Sequence, residues 1–447
     1  MIANDAMDSV PHLSRWPSWA RWPSWARVAI TGLGVVTPFG AGTAGWFSAL
    51  SCGETALKRH TGLCSKRPGP FEGLPLWSCV VPDFGAEQAI EAGKRRRMPR
   101  LCQMALVAAR EALGLEPGAD AGEAAIKKRY PSERIAVVLG TSLGTVECTM
   151  DFVDHFVRHG LAQASPAQFP YTVMNASAAL VAMELGLRGP NVTTNHRELS
   201  FPEALLSGAE LLCTGRADAV VCGGCDELGP WLSHALAALS AISPAATSAE
   251  AAPLCPYENR GLGLCPGEGA VVCVLERADG ATSAEPWALL RGWARSGDVR
   301  PRIGWPKDAT DEQVWAQAGA AVARSLAAAG VQPGALDYVV GAGDGTAFDR
   351  LETVALRAGL GTHAESVHIS SVLGQCGQSG ISPGLRLAAA LWSLRQGRLC
   401  GTTGCVTPDS ACSLPGLGLK PTDFPVKNVL LPTFAQGGGN VCLVLGA

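Results

Sequence analysis

The side chains of this chain that can do acid–base, metal or nucleophilic chemistry are scattered, and few stand in patterned surroundings. His196-Arg197-Glu198-Leu199-Ser200 puts an acid just ahead of a predicted helix, Ser200–Leu212. The partial positive charge and free N–H groups of a helix start stabilise an anion by a few tenths to about 1 kcal/mol. Glu198 therefore reads as a helix cap, with His196 or Arg197 as a pairing partner. General acid–base work in a pocket is the sharper alternative. Asp344, between two glycines, suits a loop whose turn its carboxylate closes, and Glu268 in Pro-Gly-Glu-Gly suits a buried structural hydrogen bond. His155 and His159 lie four apart on a predicted helix, a spacing that suits two metal ligands. No third ligand follows at a suitable distance, so they read as surface histidines. Cys222-Gly-Gly-Cys225 is the one CxxC; with no second ligand pair nearby it reads as a structural turn at a strand end.

These residues need elements to position them. Short β-branched runs alternate with helical segments from Val28 onward, which predicts a layered α/β fold. Strands are expected at Ile135–Leu139, Ala219–Cys222, Ala270–Leu275, Tyr338–Val340 and Val441–Leu445, and helices at Gln103–Leu113, Ala204–Leu212 and Val314–Ala328. Pro- and Ser-rich stretches at Ala246–Pro253 and Asp279–Pro286 mark loops. The second divides an amino-terminal half (28–280) from a carboxy-terminal half (281–447). Residues 16–27 repeat WPSWAR twice, with prolines that argue against a regular helix, so 1–27 reads as a flexible Trp-rich leader.

Composition narrows the function classes. Over 447 residues, 47% are apolar and 17% charged, a profile that packs a core and excludes long disorder. A net charge of −3 gives no reason to expect nucleic acid or an anionic membrane as partner. No apolar run reaches the length of a membrane span, and no secretory signal pattern opens the chain. Sixteen cysteines without even spacing suit reduced thiols in a cytoplasm.

A family pattern runs through most of the chain. Val28-Ala-Ile-Thr-Gly-Leu-Gly-Val-Val-Thr-Pro38, Arg96-Arg-Met98, Gly140-Thr-Ser-Leu-Gly144, Phe169-Pro170 and Leu185–Asn191 resemble segments of the β-ketoacyl synthases. Arg260-Gly261, Pro266–Ala270 and Phe434–Asn440 continue the resemblance in the family's order. It implies the thiolase fold: two similar α/β halves packed as a five-layer αβαβα sandwich. It also implies a decarboxylative condensation run by one Cys and two His. The Cys position of the segment Gly189–Ser200 is Glu198. The two His positions are Ala342, in Gly341–Thr346, and Gln375, in Ser370–Gln375. Ser370 stands where the second motif carries Lys, and Phe434 and Gln436 fall in the family's gating loop. A carboxylate cannot form the acyl thioester, and Asp344 beside Ala342 is the remaining acid of that motif.

The pattern most resembles the chain-length factors, the β subunits of type II polyketide and aryl-polyene synthases, although those commonly carry Gln where Glu198 stands. The resemblance implies a non-catalytic subunit that pairs with an active ketosynthase and shapes a tunnel for a growing chain. No cofactor is implied beyond the phosphopantetheine of an acyl carrier protein. Val146, Thr149 and Val153, spaced along one helix face, match tunnel-lining positions, and ordinary core packing is the other reading. None is aromatic, which suits a long or rigid product. Phe169 and Asn175 are expected at the dimer contact. The alternatives are a malonyl-carrier decarboxylase, poorly equipped without either His, or a repurposed enzyme using Glu198 with Asp344.

Overall fold

The computed structural model describes residues 28–63, 72–73, 75–239, 254–258, 264–278, 285–297 and 316–447. The Trp-rich leader, the Ala246–Pro253 loop, Arg260-Gly261 and residues 279–284 of the expected joint lie outside them.

Ten strands follow one another across a large mixed sheet. They are β1 (Val28–Thr37), β2 (Ile135–Gly140), β3 (Asn191–Thr194), β4 (Ala219–Asp226) and β5 (Gly269–Arg277), then β6 (Ala288–Gly297), β7 (Tyr338–Val340), β8 (His368–Ser370), β9 (Asn428–Phe434) and β10 (Gly439–Gly446). A two-residue strand, Gly40–Ala41, completes the eleven by pairing with the end of β1.

The spatial order is β8-β7-β9-β10-β6-β1-β5-β4-β2-β3. Counted within each half, the order is third, second, fourth, fifth, first in both. The directions also agree. In each half the second strand runs parallel to the third and fourth, while the fifth is antiparallel to the fourth and first. The halves join first strand to first strand, Val28 opposite Leu290 and Ile30 opposite Ala288. The resemblance implied such a duplication, and the register displays it.

Helices supply the other layers. α1 (Arg100–Ala112) and α3 (Ala176–Leu185) pack on the outer face of the first half, α5 (Ala316–Ala329) and α6 (Phe348–Leu360) on the outer face of the second. Between the halves lie α4 (Ser200–Cys213) and α7 (Ser382–Gln396). Every residue of α7 from Ser382 to Leu394 is buried, as a helix enclosed on all sides must be. The result is the five-layer αβαβα sandwich. The expected strands and helices form where they fall on described residues (314–315 of the third helix lie outside them), but the CxxC expectation is corrected: β4 runs straight through Cys222-Gly-Gly-Cys225 to Asp226, all buried. The glycines are there for space, since a Cβ on Gly223 would stand 2.1 Å from the Val271 carbonyl oxygen. No helix among the described residues is long and apolar enough to cross a membrane.

Candidate functional site

The duplication places the singled-out residues at equivalent points. Glu198 follows the third strand of the first half and Gln375 the third strand of the second, while Ala342 follows the second strand of the second half. These are strand ends facing the central helices α4 and α7.

The chain leaves β3 at Thr194 and enters α4 through a single 3-10 turn, Arg197–Leu199. Arg197 has φ +52°, a region that side chains other than glycine seldom occupy. Hydrogen bonds over-determine the turn. Asn195 Nδ2 donates to the carbonyls of Thr141 (2.9 Å) and Ser142 (3.0 Å), and Ser142 Oγ donates to the Arg197 carbonyl (3.0 Å). His196 N–H donates to Ser200 Oγ at 2.9 Å. The sharp turn also needs Gly140, whose Cβ would meet the Ser200 carbonyl oxygen at 2.2 Å.

Glu198 sits on this turn, and its Oε2 is buried without a hydrogen-bond partner among the described residues. Burial pushes its carboxyl above the ordinary glutamic acid range, while its own N–H and Arg197 pull more weakly the other way. The expectation of a stabilised capping anion is therefore corrected: no side chain caps α4, and desolvation outweighs the helix start.

Ala342 carries no function in its side chain, but its loop encloses a buried acid network. The Ala342 N–H donates to Glu352 Oε1 (2.8 Å), and Tyr257 Oη donates to Glu352 Oε2 (2.7 Å). Asp349 accepts the N–H groups of Asp344 (2.8 Å) and Gly345 (3.0 Å) and that of Tyr257. Asp344 closes its own turn, Oδ1 accepting the Thr346 N–H at 2.9 Å, and leaves Oδ2 buried without a partner among the described residues. Desolvation pushes Asp344 up to about 6 and raises Asp349 and Glu352 as well. Arg386, buried in α7, is the cation of this region; it draws Glu352 down and donates to the carbonyls of Val340 and Pro432. Sequence reading missed Tyr257, Glu352 and Arg386. The signal was there in Asp349-x-x-Glu352, two acids three apart on an otherwise apolar helix face.

Gln375 is buried and turned to structural use. Its Nε2 donates to the carbonyl oxygens of Ala49 (2.9 Å) and Glu54 (3.0 Å), at the end of the helix Thr43–Cys52. Ser370 pairs its hydroxyl with that of Tyr338. Ser371 Oγ donates to the Gly343 carbonyl (2.5 Å), which ties the loops of Ala342 and Gln375 together. Phe434 ends β9 and packs against α5 and α6 residues, while Gln436 lies in the tight turn before β10. Glu268 is a structural anchor. It accepts from Val81 N–H (2.8 Å) and Leu228 N–H (2.9 Å), and pairs with Arg100 at 2.7 Å.

The remaining candidates lie on one surface. α2 (Val146–His159) buries none of its residues. Val146 is half-buried, Val153 is exposed, and Thr149 donates its hydroxyl to the Thr145 and Thr172 carbonyls. Phe169 is exposed and stacks near Phe152; Asn175, also exposed, precedes α3. His155 and His159 are exposed with rings 4.6 Å apart. Among the described residues no group of three or more His, Cys, Asp or Glu is placed to hold a metal ion.

The family model for the β-ketoacyl synthase N-terminal domain matches residues 26–281, and that for the C-terminal domain matches 287–405. This chain is a member of the β-ketoacyl synthase family. Among relatives of the family, the tetracenomycin polyketide synthase ketoacyl synthase alpha subunit of Streptomyces glaucescens is 31% identical over 443 residues, covering 94% of this chain and 96% of its own. The ishigamide ketosynthase/chain length factor superposes with a TM-score of 0.81 at 22% identity, over 94% of this chain and 99% of that one. A ketosynthase in complex with its chain length factor from Xenorhabdus doucetiae gives 0.76 at 21%, over 97% and 100%. The fold around the turn that holds Glu198 is thus that of the β-ketoacyl synthases.

Proposed function

We propose that this chain is a non-catalytic, chain-length-factor-like subunit of a heterodimeric ketosynthase. Its partner would supply the Cys and His residues for condensation of malonyl units on an acyl carrier protein, in the cytoplasm. The observation that carries the reading is the state of the three positions. Glu198 has no thiol, Ala342 offers no proton donor, and the Gln375 amide faces the carbonyls of Ala49 and Glu54. Acyl tethering and enolate stabilisation both lack their groups here. Residues 28–280 and 281–447 would act as the two halves of this single subunit.

The surface supports a partner. Leu143, Val153, Phe156, Val157, Leu161, Phe169, Val173, Met174 and Met183 are all exposed, on α2, α3 and the segments beside and between them, and exposed apolar side chains gathered in one region mark an interaction surface. β3 is one of the two end strands of the sheet, with β2 on one side and no strand on the other among the described residues, and such an edge invites pairing. Solved neighbours in which a ketosynthase pairs with a chain length factor fit the same reading.

Co-expression with a Cys-bearing ketosynthase, followed by size-exclusion chromatography with light scattering, tests the proposal. A stable 1:1 complex is expected; homodimers that refuse the partner would sink it. A malonyl carrier protein assay addresses the decarboxylase alternative. Rapid carbon dioxide release by the isolated chain, lost in Glu198→Ala, would reverse the ranking.

A further inference from the structure

A cavity of about 590 Å³ opens between α2, the segment before α1 and the residues after β4. Arg96, Arg97, Arg100, Glu147, Cys148 and Glu227 line it. It is separate from the turn of Glu198, and its volume is that of a small-molecule site. Glu227 is the residue that makes it more than a surface fold. The residue is only 7% exposed. Oε2 accepts the Leu101 N–H at 3.0 Å, at the start of α1, and Oε1 is buried with no partner among the described residues. A buried polar atom without a partner is costly unless something binds it.

We propose that this cavity is a ligand site for an anionic compound carrying a carbonyl group, its charge against Arg96 and Arg97 and its carbonyl oxygen on Glu227 Oε1. The charges around Glu227 fix its protonation. Burial, then the carboxylates of Glu147 and Glu268, push it up to about 8, against the Leu101 N–H and Arg100. The thiols of Cys102, Cys148 and Cys225 also lie within its electrostatic reach. At neutral pH Glu227 is a neutral carboxyl with one oxygen held as an acceptor, so the other is an O–H donor. The acids of the α2 wall are engaged elsewhere: Glu147 accepts from the N–H groups of Trp231 (3.1 Å) and Leu232 (2.9 Å), and Asp151 from Trp231 Nε1 (2.8 Å). Arg96 and Arg97 are exposed at the edge, where they favour a negative group.

The choice of probe rests on the proposed function, because a carrier's arm is a phosphate ester with amide carbonyls. Calorimetric titration of the full chain with pantetheine 4′-phosphate is compared with pantetheine and with inorganic phosphate. The intact ester is expected to bind best, and the Arg96→Ala/Arg97→Ala double variant to weaken it roughly tenfold or more. Affinity falls as pH rises from about 7 to about 9, because the donor proton is lost and an anion replaces it. Glu227→Gln keeps the Leu101 contact and an N–H donor, so it retains binding and flattens that pH profile; Glu227→Ala loses binding. No heat from the wild type, binding of phosphate alone, or binding indifferent to these substitutions overturns the site. Ketosynthase co-purification on the same variants separates the two proposals: a chain that pairs but does not bind the ester fails only this one.

Discussion

Glu198 and Gln375 stand at equivalent turns, and each leaves one buried oxygen without a partner among the described residues; they differ in charge and in the Gln375 Nε2 donor. Gln375 has its amide tied to two backbone carbonyls, so its removal leaves buried acceptors open. Gln375→Ala is expected to lower unfolding free energy by roughly 1–3 kcal/mol in a urea titration. Glu198 has an oxygen without a partner, and burial raises its pKa in the folded state. A raised carboxyl gives its stability at low pH and loses it as pH climbs through the folded value. Glu198→Gln should therefore melt higher than wild type at neutral pH. The advantage should vanish on acidification into the ordinary glutamic acid range; thermal melts across that range check it. The identity of Glu198 was legible in the sequence, but its environment was not. A helix start promised a stabilised anion, and the helix turned out to be one that the fold buries.

At the scale of elements, the loop after β7 and the helix α6 form one acid-rich unit. Asp344, Asp349 and Glu352 are all raised by desolvation, so this unit favours the folded state as pH falls and opposes it as pH rises. Asp344→Asn removes one such group. Its stability should depend less steeply on pH between about 4 and about 6, by at most about 1.4 kcal/mol per pH unit for a single proton. Paired denaturant titrations at several pH values measure the slopes. The Asp344 turn was readable from the Gly-Asp-Gly sequence alone, because an Asp closes its turn locally. Tyr257 and Arg386 were not, because each reaches the network from a distant part of the chain. The CxxC misread has the same origin: Gly-Gly in a strand signals a turn locally, whereas here it admits the backbone of a neighbouring strand.

For the whole molecule, the exposed apolar residues of α2, α3 and the β3 edge are the surface on which the proposed partner would sit. Val157, 72% exposed on α2, is a site where a charge disturbs no core. Val157→Asp is expected to leave the melting temperature of the isolated chain within about 2 °C, as surface changes do. The same change should weaken the complex with a Cys-bearing ketosynthase by roughly tenfold or more, read by light scattering on dilution. Equal loss of both would mean that this face belongs to the chain's own core.

Order along the chain was settled by the amino acids themselves: the alternation of strands and helices, and the absence of a thiol or imidazole at Glu198, Ala342 and Gln375. Those features depend on residue type and local periodicity, which act over a few neighbouring positions. Three things waited for the assembled fold. They are the matching strand order of the two halves, the desolvation that turns Glu198 and Glu227 into reluctant anions, and the exposed apolar residues of α2 and α3. Each depends on groups separated by scores of residues, and only chain closure brings them near enough for burial and charge to act.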